Sequence, residues 1–324
     1  MHRNKILLLF FSSLLALLSL EITVSLLDLD DREKIQRVYD KYMKIYYSRS
    51  THISVNKYLG WIHQGTSHPL LKFDTNGIRS DGEKKYKRGK EQIRIALFGD
   101  SFTLGDGVNF QESWGYILGR QLNCEVLNFG VQGYDMTQAY LRWKHDGLAF
   151  DPDIVIFGLQ PENIRRNVNI IRVLYHGNTP VFSKPRFVNK KLINYPTIEL
   201  DRLSEYVHNP STYPLIKHEY WFLGNNFRFI SFIKKRIKNT GFKKHHIDLA
   251  FNIITRFKED VERKGKKFYV VYLPNYFQCD ALANLVNAIR VGYISPHVGH
   301  YSQKENKQVA EAITKYLREQ NIFT

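Results

Sequence analysis

The stretch Ile93-Arg-Ile-Ala-Leu-Phe-Gly-Asp-Ser-Phe-Thr-Leu-Gly-Asp-Gly-Val108 decides the fold of this chain. It opens with an apolar run that is typical of a strand buried in a parallel sheet, although so short a run does not exclude a helix. Gly99-Asp100-Ser101 then predicts a turn at the strand's carboxyl end, which faces the ligand crevice in open α/β sheets. A serine there lies beside the first backbone N–H groups of the following helix, so it has the surroundings that a nucleophile needs.

Outward from this stretch, short apolar runs alternate with helical patterns. Further strands are predicted at 125–129, 154–157 and 268–273, and helices at 111–122, 136–148, 248–262 and 303–319. This alternation predicts a parallel sheet with helices on both faces. With 324 residues and 43% hydrophobic residues, the chain is long enough to bury a sizeable core.

Four short sequence motifs, here called blocks, follow one another along the chain. They are Gly99-Asp-Ser101, Asn128-Phe-Gly-Val-Gln-Gly133, Gly158-Leu-Gln-Pro-Glu-Asn-Ile164 and Gly299-His-Tyr-Ser302. In this order they resemble the SGNH (GDSL-type) serine hydrolases, and the resemblance spans about residues 58 to 324. It implies an α/β protein with a three-layer α/β/α, flavodoxin-like fold.

The resemblance also implies roles for particular residues. Ser101 would be the nucleophile and His300 the base that takes its proton. The backbone N–H groups of Ser101 and Gly133 and the side chain of Asn163 would bind the oxyanion. The implied activity is that of an esterase or O-acyltransferase acting on acyl esters, for instance of a cell-surface polysaccharide, and it needs no cofactor.

Three departures from the family pattern motivate a second hypothesis. The third block reads Pro161-Glu162-Asn163 instead of Gly-x-Asn-Asp, so either Asn163 supplies the donor at a one-residue offset or Glu162 takes its place. His297 stands where the family commonly has the aspartate that orients the histidine. The segment between Pro274 and His300, 25 residues, is also short for the family. The alternative is a catalytically impaired envelope protein that binds glycan or lipid.

Each candidate residue also has a structural explanation. Asp100 and Ser101 could cap the helix that follows, Gly133 could only form a tight turn, and His300 could be a loop histidine. Asp100, Glu162 and His297 are possible supporting residues. The pairs His297-x-x-His300 and His245-His246 have no cysteine or carboxylate at fitting spacing, so no metal site is predicted.

The amino terminus and the charge predict where the protein acts. Residues 1–28 combine Arg3 and Lys5 with a long apolar segment, which predicts a membrane anchor or, alternatively, the signal peptide of a secreted protein. Residues 29–90 form a predicted juxtamembrane helix and lead-in, and 91–324 the SGNH-like domain, with an insertion or cap at about 165–245. The catalytic part is expected on the extracytoplasmic side. The net charge of +16 suits acidic glycans or lipids, and the sequence shows no nucleic-acid-binding motif.

Overall fold

The fold is described from a computed structural model. It describes residues 2–27, 37, 40, 52–65, 69–81, 92–172, 183–208, 212–215, 218, 242–276, 278–294 and 299–323. Nearly all of the predicted juxtamembrane helix lies outside these residues, and so does His297.

One sheet of five parallel strands organises the protein. The described residues contain eleven strands, five in this sheet and six in three two-stranded sheets: β1 Ile53–Asn56, β2 Gly60–His63, β3 Lys72–Phe73, β4 Arg79–Ser80, β5 Arg94–Phe98, β6 Glu125–Asn128, β7 Ile154–Leu159, β8 Arg186–Val188, β9 Lys191–Ile193, β10 Lys267–Tyr272 and β11 Ile289–Arg290. The large sheet has the order β11-β10-β7-β5-β6, and all its neighbours run parallel. Numbered along the chain, this is the order 2-1-3-4-5 of flavodoxin-like sheets, which confirms the predicted fold class.

Helices cover both faces of the sheet, as predicted. They are α1 His2–Leu26, α2 Ser101–Leu104, α3 Trp114–Leu122, α4 Met136–His145, α5 Asn163–Arg166, α6 Leu200–His208, α7 Lys244–Glu262, α8 Asp280–Leu285 and α9 Gln303–Glu319. On one face, α3 and α9 bury apolar side chains such as Leu118 and Ile313 against Ile95 and Leu97 of β5. On the other face, α4 and α7 do so against Ala96 and Phe98. Successive residues of β5 thus face opposite cores, which explains why every residue of the strand is buried and all except Arg94 are apolar.

The strand order reverses beside β5, and the chain is tightly packed there. The side chain of Thr103 occupies the space between Gly99 and Gly158, at the ends of β5 and β7. A Cβ at Gly99 would lie 2.1 Å from Thr103 Oγ1, and one at Gly158 would lie 2.0 Å from it. Both glycines are therefore required for the turn that presents Ser101 at the switch point of the sheet.

The lead-in packs directly on this domain. Leu59 and Trp61 of the β1–β2 hairpin are buried with Val131, Tyr134 and Leu141 in one apolar cluster. Farther along, Arg79 is buried and donates hydrogen bonds to the carbonyls of Leu104, Gly105 and Val108. Residues well before the first core strand thus hold the loop that follows the candidate nucleophile.

Helix α1 stands apart from this core. Its segment Asn4–Leu26 has 23 residues and a mean hydropathy of 2.2, so it is long and apolar enough to cross a bilayer. A signal sequence would have the same properties. Its large apolar side chains are exposed in the structure, as a lipid-facing helix requires.

Candidate active site

Ser101 is the first residue of α2, and two residues, Gly99 and Asp100, separate it from the end of β5. Asp100 caps this helix, since its carboxylate accepts a hydrogen bond of 2.9 Å from the Phe102 N–H. The helix ends after one turn at Gly105, whose φ of +74° is left-handed. Asp100 therefore does serve as a cap, and in doing so it directs the first residue of the helix into the crevice.

The structure brings His300 to Ser101, although 199 positions separate them. His300 Nε2 lies 2.8 Å from Ser101 Oγ, within hydrogen-bond distance. For a neutral ring to accept this proton at Nε2, the ring must carry its own proton on Nδ1. Ser101 is 5% exposed, and the ring of Phe102 packs 5.2 Å from the His300 ring.

The residues after His300 explain how a short connection reaches the site. Tyr301 is buried, and its hydroxyl donates to the carbonyl of Pro274, just after β10. Ser302 then begins α9 with a capping box formed with Glu305. His300 thus directly precedes a buried tyrosine that is bonded to the end of β10 and a capped helix start.

Gly133 lies in the loop that follows β6. The Val131 N–H donates to the carbonyl of Gly99 at 3.1 Å, so this loop runs beside the turn that carries Ser101. Gly133 has a φ of +76°, and a hydrogen bond of 3.2 Å from the Tyr134 N–H to the carbonyl of Val131 closes the turn. The turn itself therefore requires a glycine at this position.

In the third block, Arg166 neutralises the glutamate and orients the asparagine. Its guanidinium pairs with Glu162 at 2.6 Å and donates to Asn163 Oδ1 at 3.0 Å. A glutamate at this place would repel an oxyanion if it were unpaired, and the charge of Glu162 is balanced by Arg166. With its oxygen held by Arg166, Asn163 keeps Nδ2 as a buried donor with no hydrogen-bond partner in the described residues.

The same guanidinium also reaches the carboxylate of Asp100, at 2.9 Å. Asp100 is completely buried, and burial raises the pKa of its carboxyl, although the charge of Arg166 acts in the opposite direction. One buried cation therefore joins the cap of the nucleophile helix to the asparagine of the third block.

Asp106 is the acidic residue that the structure places beside His300. Its Oδ2 lies 3.7 Å from His300 Nε2 and accepts a hydrogen bond of 2.6 Å from Gln132 Nε2. It approaches the nitrogen that faces Ser101, whereas an orienting aspartate in a catalytic triad holds Nδ1. In this position its charge favours the imidazolium that forms when His300 takes a proton.

Sequence reasoning overlooked three residues of this arrangement: Asp106, Gln132 and Arg166. Gln132 lies within the second block, and Asp106 and Arg166 lie five and two residues after the first and third blocks, so proximity to these blocks was the available signal. Among the described residues, no group of three or more His, Cys, Asp or Glu side chains is arranged to hold a metal ion.

Comparison with known proteins gave likenesses of fold alone. No family model and no curated protein matches the chain. A solved protein of the lipolytic G-D-S-L family from Desulfitobacterium hafniense DCB-2 is 14% identical with a TM-score of 0.37, covering 69% of this chain and 99% of that one. The psychrotrophic esterase EstA from Pseudoalteromonas sp. is 10% identical with a TM-score of 0.37, covering 71% and 99%.

A carbohydrate esterase of family 2 from Corynascus thermopiles (Myceliophthora fergusii) is 11% identical with a TM-score of 0.39, covering 74% of this chain and 69% of that one. These proteins are esterases or lipolytic proteins, the class that the four sequence blocks resemble. At identities of 10–14% and TM-scores of 0.37–0.39, the likeness of fold assigns no activity to this chain, so the proposed function depends on the geometry of the site itself.

Proposed function

We propose that this protein is a serine esterase or O-acyltransferase of SGNH type that forms an acyl-enzyme at Ser101. The observation that carries the proposal is the contact of 2.8 Å between Ser101 Oγ and His300 Nε2, at the switch point of a flavodoxin-like sheet. A hydroxyl beside an imidazole is the pairing that activates a weak nucleophile.

The geometry supports a two-step reaction. Ser101 Oγ attacks the carbonyl carbon of the ester while its proton passes to His300 Nε2. The tetrahedral intermediate collapses, the bond to the alcohol oxygen breaks, and the alcohol leaves with the proton from His300. Water or a second hydroxyl then attacks the acyl-enzyme, gives its proton to His300, and releases Ser101 with its proton restored.

The oxyanion of the intermediate would meet three donors. The Ser101 N–H is at the first position of α2, where backbone N–H groups have no partner within the helix. Asn163 Nδ2 is the buried donor whose orientation Arg166 sets, and the Gly133 N–H completes the set. Loss of one such donor typically lowers kcat by about a hundredfold to a thousandfold.

The first test is covalent labelling of the full chain, in mild detergent, with a fluorophosphonate probe. Such probes react with serines that a base and an oxyanion hole activate, so we expect one labelled peptide containing Ser101 by mass spectrometry. Labelling should be lost in Ser101→Ala and in His300→Ala, and retained in the control Ser113→Ala, which alters a serine outside the proposed machinery. Labelling that persists in Ser101→Ala would refute the assignment of the nucleophile.

The substrate is proposed to be an O-acyl group of an envelope polysaccharide. The net charge of +16 and the apolar helix α1 support an enzyme held at a membrane near anionic polymers. Hydrolysis and transfer share the acyl-enzyme, and they separate when the enzyme is loaded with p-nitrophenyl acetate and given an oligosaccharide acceptor. Acetate appearing on the sugar would indicate transfer, and free acetate alone would indicate hydrolysis.

We further propose that α1 anchors the protein with its catalytic part on the extracytoplasmic side. The basic residues Arg3 and Lys5 precede the apolar segment, which favours a cytoplasmic amino terminus. Protease added to cells with a permeabilised outer envelope and an intact cytoplasmic membrane should then digest the catalytic part. Without protease, the full chain should be recovered in the membrane fraction. Recovery of a shortened chain in the soluble fraction would indicate a cleaved signal peptide instead.

The alternative function is glycan or lipid binding without turnover. It is motivated by the absence of an aspartate three positions before His300. A folded chain that binds a polyanionic glycan, resists the probe and turns over no acyl ester would establish it.

A further inference from the structure

The amino-terminal hairpin reaches the loop that carries Gly133. The indole N–H of Trp61, on β2, donates a hydrogen bond of 2.9 Å to the carbonyl oxygen of Gln132. In return, the hydroxyl of Tyr134 donates to the carbonyl oxygen of Trp61 at 2.5 Å, and the two rings pack edge to face. The glycine is thus bracketed by two neighbours that are both bonded to one tryptophan.

The first of these bonds sets the direction of the Gly133 N–H. The carbonyl of Gln132 and the N–H of Gly133 belong to the same peptide unit, which is planar and trans. In a trans peptide the C=O and N–H bonds point in opposite directions. Because Trp61 holds the carbonyl on the hairpin side, the N–H is directed away from the hairpin.

The side chain of Gln132 shows that the loop borders the site. Its Nε2 donates to Asp106 at 2.6 Å, and its Oε1 lies 2.9 Å from Nε2 of His52, next to β1. Asp106 in turn lies 3.7 Å from His300 Nε2. The hairpin therefore holds both the backbone and the side chain of one residue beside the proposed base.

We propose that Trp61 is a positioning residue, which aims the Gly133 N–H at the oxyanion through the Gln132–Gly133 peptide. This inference rests on the proposed function. It explains why a completely buried tryptophan of the lead-in uses the only polar atom of its side chain to bond this loop. Without that bond the peptide can rotate, and the donor loses its alignment.

The test replaces Trp61 by 3-benzothienylalanine in the full chain, which keeps the shape of the ring and exchanges the N–H for sulfur. We expect kcat for p-nitrophenyl acetate to fall about tenfold, less than for complete loss of an oxyanion donor. KM should stay within about twofold, because the ground-state carbonyl makes weaker use of the donor than the oxyanion does. Tyr134→Phe removes the hydrogen bond to the Trp61 carbonyl and keeps the bond of the indole N–H, so it should lower kcat by a smaller factor.

The matched control places the same analogue at Trp143, a buried tryptophan on α4 that lies outside the site. It should leave both kinetic constants unchanged, which separates loss of the bond from insertion of the analogue. Equal kcat for the native chain and the Trp61 analogue, with Ser101 still labelled by fluorophosphonate, would overturn the inference and leave the proposed function standing. A folded native chain that neither labels nor hydrolyses ester would refute both.

Discussion

Removal of Arg166 is expected to cost stability in a way that depends on pH. This guanidinium is 5% exposed and pairs with two carboxylates, Asp100 at 2.9 Å and Glu162 at 2.6 Å. Arg166→Met keeps much of the apolar stem and deletes the charge. Because the two carboxylates would remain buried without their cation, we expect a loss of about 3–5 kcal/mol in the free energy of unfolding at pH 7.

Protonation of the Asp100 carboxyl limits this loss in the free energy of unfolding. Burial already raises the pKa of Asp100, and Arg166 is the main influence that lowers it, so its pKa should rise further in Arg166→Met. A carboxyl whose pKa is raised in the folded state destabilises the protein as pH rises above the unfolded value, which is about 4. The gap between native chain and variant should therefore be small near pH 4 and widen toward pH 7.

Urea unfolding of the full chain in detergent, followed at pH 5 and pH 7, measures both effects. Arg263→Met is the control, since it deletes an arginine whose side chain is 70% exposed and should change little. Adding Glu162→Gln to Arg166→Met should recover part of the loss, because the two residues share one network. A loss below about 1 kcal/mol at pH 7, or one equal at both pH values, would refute the reasoning.

Two further predictions concern charge near the site. Asp106→Asn should lower kcat for a short acyl ester about fivefold. The attraction between Asp106 and the imidazolium of His300 over 3.7 Å is roughly 4–5 kcal/mol at an effective dielectric constant of 20, and solvent around the 37% exposed histidine reduces it to about 1 kcal/mol. An unchanged kcat, or an equal fall in the control Asp151→Asn at an exposed aspartate, would contradict this prediction. His63 is completely buried, and burial, followed by the charge of a neighbouring histidine, holds its pKa well below the usual value. The unfolded chain therefore takes up a proton below about pH 6.5 that the folded chain does not, so stability should fall by up to about 1.4 kcal/mol per pH unit on acidification. His63→Phe should reduce this dependence, and a pH profile of stability that is unchanged in His63→Phe would exclude His63 as its cause.

The sequence alone determined the central sheet and the place of the candidate nucleophile. The continuous apolar run of β5 and the helical period of α9 are local patterns, so both elements could be predicted from the sequence, and α9 occupies the predicted range Gln303–Glu319. The turn Gly99-Asp100-Ser101 was predictable for the same reason, because a strand end and a helix cap lie within three positions. The strand β11, with two residues, is too short to leave such a pattern and was not predicted.

Only the tertiary structure decided what surrounds Ser101. The charge of Glu162 is neutralised because Arg166 lies one helical turn later and pairs with it. The same arginine also pairs with Asp100, which is 66 positions away in the sequence. Trp61 meets Gln132 across 71 positions. Such contacts depend on how separate elements pack, so the local spacing of apolar and polar residues does not predict them. The physical reason is that a hydrogen bond between distant residues is set by the relative placement of two elements, which only the completed core defines.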